Sequence, residues 1–272
     1  MSQASSLSVV GSVGELDEKL DAESSESKPT PVPILVIDIG GTKIKALATG
    51  HTEPRKILSG RTMAPSRMVE ELQAVTQDWT YEAVSIGYPG LVGESGARSE
   101  ALNLGSGWVG FDFAAAFGMP VRIANDAAMQ ALGSYEGGRM LFLGLGTGLG
   151  SALIADNVLV TMELGRIPYS DGRTLGEVLG RRGFRRLGKK VWREIIAHVV
   201  PALMDAFIAD YVMLGGGNSK EIRDLPPGAR MGHNLTAFRG GHRLWNLEDV
   251  TTLETPGELP GSQRREREWR LV

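Results

Sequence analysis

Apolar and polar positions alternate along this chain in short runs that read as strands and helices in turn. From Ile34 the pattern runs Ile-Leu-Val-Ile-Asp-Ile, breaks at Gly40-Gly41 and resumes with Ile44, Ala46 and Ala48. A strand, a tight glycine turn and a returning strand are expected, with Asp38 near the bend. Met68, Leu72, Val75 and Trp79 fall at helical spacing, which predicts an amphipathic helix over residues 67–79. A strand at Ala83–Gly87 and a loop at Tyr88-Pro89-Gly90 follow. Phe111–Phe117 reads as a short helix, Val121–Ala124 as a strand and Ala127–Leu132 as the start of another helix. Met140–Leu145, the turn Gly146-Thr147-Gly148 and Ser151–Ile154 repeat the first pattern, so the two glycine hairpins point to an internal duplication. Val191–Ile208 has helical spacing and feeds a strand, Tyr211–Leu214, that ends on Gly215-Gly216-Gly217.

Composition narrows the class. The chain has 272 residues, 42% apolar and 22% charged, which suits one large or two modest α/β domains. No apolar run approaches the roughly 20 residues a membrane span needs, so no membrane partner is expected. A formal charge of -3 supplies no global basic field, and no nucleic-acid partner is expected either. With no cysteine there is no disulfide framework, thiol nucleophile or thiolate metal site, and the expected location is cytoplasmic. Residues 1–32 are rich in Ser, Glu, Asp and Pro and read as a disordered tail without the features of a signal peptide. The 36 glycines sit in knots between apolar runs, and those knots mark where chemistry is to be sought.

Phosphoryl transfer needs donors around spread-out negative charge, a cation, and a base aimed at the acceptor hydroxyl. Asp38, Gly40, Gly41, Thr42 and Lys43 suit the first two requirements. The glycines let backbone N–H groups approach phosphate, Thr42 and Lys43 add donors, and Asp38 can orient a Mg2+-bound water. An ordinary hairpin turn with exposed polar residues explains the same segment equally well. Gly146, Thr147 and Gly148 form a second candidate cradle. It is not a dinucleotide fingerprint, because a strand rather than a helix follows it. Gly183–Lys190 has P-loop spacing but lacks the final Ser or Thr and a preceding strand. Asn125-Asp126 stands at a strand end and a helix start. An aspartate there can accept the proton of an attacking hydroxyl, and either residue can equally serve as a helix cap.

These segments together resemble the ROK family of bacterial sugar kinases, above all its glucokinases and polyphosphate glucokinases. The resemblance runs over residues 33–245. It rests on Val36–Lys43, Gly87–Gly90, Asn103-Leu104-Gly105 with Gly107-Trp108, Ala124–Ala127, Gly144–Gly150, Glu163-Leu164-Gly165 and Leu214–Asn218. It implies an α/β fold of the actin-like, ribonuclease-H-like ATPase type, with two domains (33–124 and 125–250) around a cleft and a C-terminal tail over 251–272. It implies that Asp126 is the catalytic base and that Asn103, Asn125, Glu163 and Glu177 bind the sugar. Gly215, Gly216 and Gly217 would lie near the donor, which is ATP or polyphosphate used with Mg2+. The acceptor implied is a hexose, glucose at its 6-hydroxyl, and a homodimer is left open. A weakly catalytic sugar-binding or regulatory protein of the same family is the alternative.

Two departures from the family pattern stand out. Its Glu-x-Gly-His motif, whose histidine contacts the sugar, here ends in Arg166. A guanidinium only donates, where a neutral imidazole also accepts, so hydroxyl preference is expected to change. The cysteine zinc site carried by many members is missing, as in the shorter polyphosphate-type members. Finally, Arg181, Arg182, Arg185, Arg186, Lys189, Lys190 and Arg193 form a basic run. It reads as a groove for a polyanion such as polyphosphate or as a solvated helix face. Tyr169–Gly172 reads as a turn, and Trp192 and Trp245 as core.

Overall fold

In a computed structural model the described residues are 32–233, 235–245 and 270–271. The expected tails fall outside them, apart from Val32 and the strand Arg270–Leu271.

Ile34–Ile39 (β1) is apolar on both faces, and a strand of that kind belongs inside a sheet covered on both sides. It pairs antiparallel with Lys43–Ala48 (β2), which pairs antiparallel with Arg55–Leu58 (β3). The helix Pro65–Val75 (α1) starts with Pro at its first turn, where no N–H is missed, and it buries Met68, Val69 and Leu72. It lies two to four residues earlier than the spacing predicts, and Trp79 is buried beyond its end. Ala83–Tyr88 (β4) is buried at every position and runs parallel to β1. A small hairpin, Val92–Gly93 (β5) with Gly96–Ala97 (β6), and a short helix, Phe113–Phe117 (α2), precede Val121–Asn125 (β7), which runs parallel to β4. The first sheet therefore has the order β3-β2-β1-β4-β7.

Asp126–Ser134 (α3) leaves the end of β7 and leads to Met140–Leu145 (β8), Leu149–Ala155 (β9) and Val158–Met162 (β10), an antiparallel meander. Pro168–Ser170 (β11) and Arg173–Thr174 (β12) make a hairpin around the expected turn, with Asp171 and Gly172 at φ 51° and 68°. Leu175–Leu179 (α4) is followed by Arg181–Ala206 (α5), interrupted at Gly188 (φ 75°, ψ 163°) and so two helical stretches. The sequence with P-loop spacing, Gly183–Lys190, straddles that interruption and follows α4 rather than a strand, which is not the setting of a phosphate loop. Tyr211–Gly215 (β13) runs parallel to β8, and Ala229–Met231 (β14) runs parallel to β13. Arg270–Leu271 (β15) pairs with β10.

The second sheet has the order β14-β13-β8-β9-β10-β15. Its strands β10-β9-β8-β13-β14 repeat the order and the polarity of β3-β2-β1-β4-β7. The duplication inferred from the two glycine hairpins thus extends through five strands of each sheet, the ribonuclease-H-like arrangement. One core packs Trp108, Tyr88 and Phe113 against the first sheet, and another packs Trp192, Ile196 and Val200 against the second. Both buried indoles keep a hydrogen-bond partner, Trp108 Nε1 donating to Met63 O at 3.2 Å and Trp192 Nε1 to Leu179 O at 3.0 Å.

Thr236–Arg243 (α6) ties the halves together. It packs along α3 and also touches β1 and β4. A Cβ built on Gly133 would lie 1.7 Å from Thr236 O, and one built on Gly240 would lie 1.7 Å from Met129 O. Only glycine allows the two helices to meet backbone to backbone. Beyond them Trp245 Nε1 donates to the buried Ser85 Oγ at 2.8 Å, and that hydroxyl donates to Gly241 O at 2.7 Å.

Candidate active site

The two glycine turns occupy equivalent places, each joining the central strand of its sheet to an antiparallel neighbour. In the first, Gly40 N donates to Lys43 O at 3.1 Å, which closes the turn. In the second, Gly146 N donates to Gly144 O and Gly148 O, at 3.0 and 3.1 Å. The carbonyl of Gly146 accepts from Arg181 N and from Asn218 Nδ2, both at 3.0 Å. Gly41, Thr42, Thr147 and Gly148 are exposed, and their N–H groups make no hydrogen bond among the described residues. Outward-facing free amides are what an anion requires. The backbone at Gly216 has φ 81° and presses on Leu145, where a Cβ would come within 2.6 Å. The strand end Gly215–Gly217 is thereby brought against the second turn, and so is the start of α5.

Asn125 and Asp126 make different contacts at the head of α3. Asn125 is the N-cap of α3, its Oδ1 accepting from Ala127 N at 3.0 Å and Ala128 N at 3.3 Å. Its Nδ2 donates to Gly90 O at 3.0 Å, so one side-chain N–H remains for a ligand. Asp126, the first helical residue, accepts from Ala127 N at 2.8 Å through Oδ1. Burial, then the Asp38 carboxylate, and more weakly Glu163, push its carboxyl up to about 7, against the pull of the Ala127 N–H. Asp38 is raised too, by burial, and Lys45 beside it at 3.5 Å pulls the other way. Three carboxylates from β1, α3 and the end of β10 thus share one electrostatic neighbourhood.

The remaining residues frame this acidic centre. Asn103 is exposed and lies against Gly41, where a Cβ would be 3.2 Å from its own Cβ. Arg166 closes the 3-10 turn Leu164–Arg166 and reaches back to Glu163, with Nε 3.6 Å from Oε2. The guanidinium therefore pairs with a residue expected to hold the sugar. Glu177 sits in the capping box of α4, its Oε2 accepting from Thr174 N at 3.0 Å. One of its oxygens is occupied by the helix cap. Two residues that sequence reasoning did not select matter here: Lys45, the counter-charge of Asp38, and Asn218, which locks the second turn. Lys45 stands on the returning strand with Asp38 opposite it in register, a pairing readable once the hairpin is drawn. Asn218 enters the sequence reading only as the last residue of the motif Leu214–Asn218, with no role given to its side chain.

No cluster of three or more metal-binding side chains occurs among the described residues. A magnesium ion held through water still fits the donor set. Asp38 is a hard oxygen donor with Lys45 beside it as counter-charge, and Mg2+ keeps several waters when one carboxylate and phosphate oxygens hold it.

A model described as "ROK family" matches residues 34–167, the stretch that carries the first turn, Asn103, Asp126, the second turn and Glu163. Over that stretch the chain matches the ROK family. The bifunctional enzyme NanE/NanK of Brucella melitensis is 35% identical over 181 residues, 61% of this chain and 34% of the Brucella protein. The chain thus spans about a third of the length of the first curated relatives it matches. The polyphosphate glucokinase of Mycobacterium tuberculosis is 26% identical over 221 residues, 70% of this chain and 80% of that protein. Among solved structures, the inorganic polyphosphate/ATP-glucomannokinase of Arthrobacter sp. strain KM superposes with a TM-score of 0.67 at 24% identity, over 78% of this chain and 98% of that one. The match establishes the actin-like fold with its two domains.

Proposed function

We propose that this protein transfers a phosphoryl group from ATP or polyphosphate to a hexose hydroxyl, with glucose at its 6-position as the reference acceptor. One observation carries the reading. A carboxyl raised to about 7, Asp126, stands at the head of α3 beside Asp38 of the first turn, while the second turn of free amides belongs to the paired sheet. A base that titrates near neutrality can take a hydroxyl proton at pH 7 and still hold it well. Asp126 accepts that proton as the hydroxyl oxygen attacks phosphorus. Asn103, Glu163 and the free N–H of Asn125 orient the sugar, and the amides of Thr147 and Gly148 face the phosphate oxygens. Asp38 would hold a magnesium ion through water, and the ion would supply positive charge to the transferred group. The single test is formation of sugar phosphate from glucose with each donor, with and without Mg2+. Lack of product from a panel of sugars with both donors would leave a sugar-binding protein instead.

A second reading keeps the chemistry and changes the sugar. Arg166, paired with Glu163, replaces a group that accepts hydrogen bonds by one that only donates, so an acceptor other than glucose is the better substrate in this reading. The donor question turns on α5. Arg181, Arg182, Arg185, Arg186 and Lys190 are exposed, with no carboxylate within ion-pair distance among the described residues, and the helix begins against the second turn. A polyphosphate whose end enters the turn would continue along these cations. Lys189 is tied to Glu221 at 2.7 Å and Arg193 donates to the Glu221 carbonyl at 2.6 Å, so both lie outside that track.

A further inference from the structure

The loop that carries Asn103 has no regular structure of its own, yet it is closed by one carboxylate. Glu100 accepts three backbone N–H groups: Oε1 from Gly107 at 3.1 Å and Val109 at 3.4 Å, and Oε2 from Trp108 at 3.2 Å. Its neighbour Ser99 fixes the near side. Ser99 O accepts from Tyr88 Oη at 2.9 Å, and Ser99 Oγ accepts from Leu91 N at 3.0 Å. The far side is anchored by Trp108, fully buried against Tyr88 and Phe113, and Met63 O receives both Trp108 Nε1 and Gly105 N. Residues 101–106 are thereby a short arch whose two feet are held together by Glu100. The exposed crown of the arch is Leu102-Asn103, and Asn103 meets Gly41 of the first glycine turn.

We infer that Glu100 is a positioning residue for the acceptor: its carboxylate fixes the arch that presents Asn103 to the sugar, without touching sugar or donor itself. The inference rests on the sugar-kinase reading above. A carboxylate is suited to the task because each of its oxygens accepts charge-assisted bonds from the N–H groups of successive residues, and no neutral side chain offers two such acceptors. Loss of Glu100 lets the feet separate while Trp108 stays buried. The damage then falls on the placement of Asn103, and the second turn, on the other sheet, is untouched.

The experiment uses the full chain and compares wild type with Glu100→Ala, Glu100→Gln and Glu100→Asp. Acceptor KM, donor KM and kcat are measured with the best sugar found, and backbone hydrogen exchange is followed over residues 101–109. Expected for Glu100→Ala is a rise of about tenfold or more in acceptor KM, with donor KM within about twofold, and faster exchange at Gly107, Trp108 and Val109. Glu100→Gln, which keeps one acceptor oxygen, should fall between it and wild type. A purely structural role would instead lower the melting temperature and the active fraction and leave both KM values unchanged; that result, or equal rises in both, overturns the inference. Unchanged exchange in Glu100→Ala overturns it as well. If folded wild type phosphorylates no sugar, the kinase reading itself fails and takes the inference with it, an outcome visible before any variant is made.

Discussion

Replacing Asp126 by Asn removes one negative charge from the acidic centre and preserves shape, and two consequences with opposite signs follow. Asn keeps an oxygen that accepts from Ala127 N, so the head of α3 stays capped. Turnover should fall by about 10²–10⁴-fold, the range for loss of a positioned base. Stability should rise. A carboxyl that titrates at about 7 folded and at 3.8 unfolded has its ionised form disfavoured in the folded state by about three pH units. At about 1.4 kcal/mol each, this amounts to about 4 kcal/mol as an upper bound, since Asp126 is only partly withdrawn from solvent. The sign follows from proton binding: between pH 4 and 7 the folded protein holds a proton that the unfolded chain releases. The wild type therefore loses stability as pH rises through that window and reaches a plateau above it. The Asn variant should unfold at higher denaturant than wild type at pH 8, and the gap should shrink steadily towards pH 4. Urea unfolding at pH 8, 6.5, 5.5 and 4.5, beside steady-state turnover at pH 8, measures both effects. A gap independent of pH would refute the buried-carboxylate argument, and turnover within tenfold of wild type would refute the base.

Wild-type kcat/KM should fall about tenfold per pH unit below about 7, as Asp126 takes up its proton, and a flat profile from pH 8 to 5.5 would assign the base elsewhere. Arg166→His should break the pair with Glu163 and raise kcat/KM for glucose relative to other hexoses, which a sugar panel reads directly; unchanged selectivity would place position 166 outside the pocket. Replacing Arg185, Arg186 and Lys190 together by Gln should raise KM for polyphosphate more than KM for ATP and flatten its salt dependence, measured at low and moderate salt; equal losses would mark a solvated helix face. Gly240→Val should cost several kcal/mol or prevent folding, because its Cβ falls on Met129 O and backbone cannot yield as a side chain can; a melting temperature within a few degrees of wild type would disprove the close helix crossing.

What the sequence made readable follows from where local signals were strong. β1, β4, β8 and β13 were found within a residue or two because runs such as Met-Leu-Phe-Leu-Gly-Leu leave no alternative to a buried strand. The helix α5 was placed from Val191, ten residues late, because Gly183 and Gly188 interrupt the apolar spacing and seven basic residues mask its buried face. The helix α6 was missed altogether, since Thr-Ala-Phe-Arg-Gly-Gly-His-Arg has poor helix propensity. Its glycines look like breakers in one dimension. In three dimensions they are contact points, Gly240 on α3 and Gly241 on Val36 of β1, and no local rule distinguishes the two uses.

The same limit applies at the site. The glycine turns and Asp126 were legible because backbone amides and a carboxylate at a strand end carry their chemistry with them. Their alliance was not. Asn125 and Asp126 are adjacent in sequence and similar in shape, and which of them is the cap and which the proposed base depends on the donation of Asn125 to Gly90 and on the nearness of Asp126 to the Asp38 charge. Glu100 shows the point most plainly: an exposed glutamate in a loop has no distinguishing neighbour in sequence, and its partners seven to nine residues onward offer only backbone. A residue that acts by holding other residues still leaves its mark in hydrogen bonds, and those exist only after folding. In this chain the groups proposed to do chemistry could be read from sequence, whereas those proposed to hold them in place, Glu100 and Asn218, had to be read from the structure.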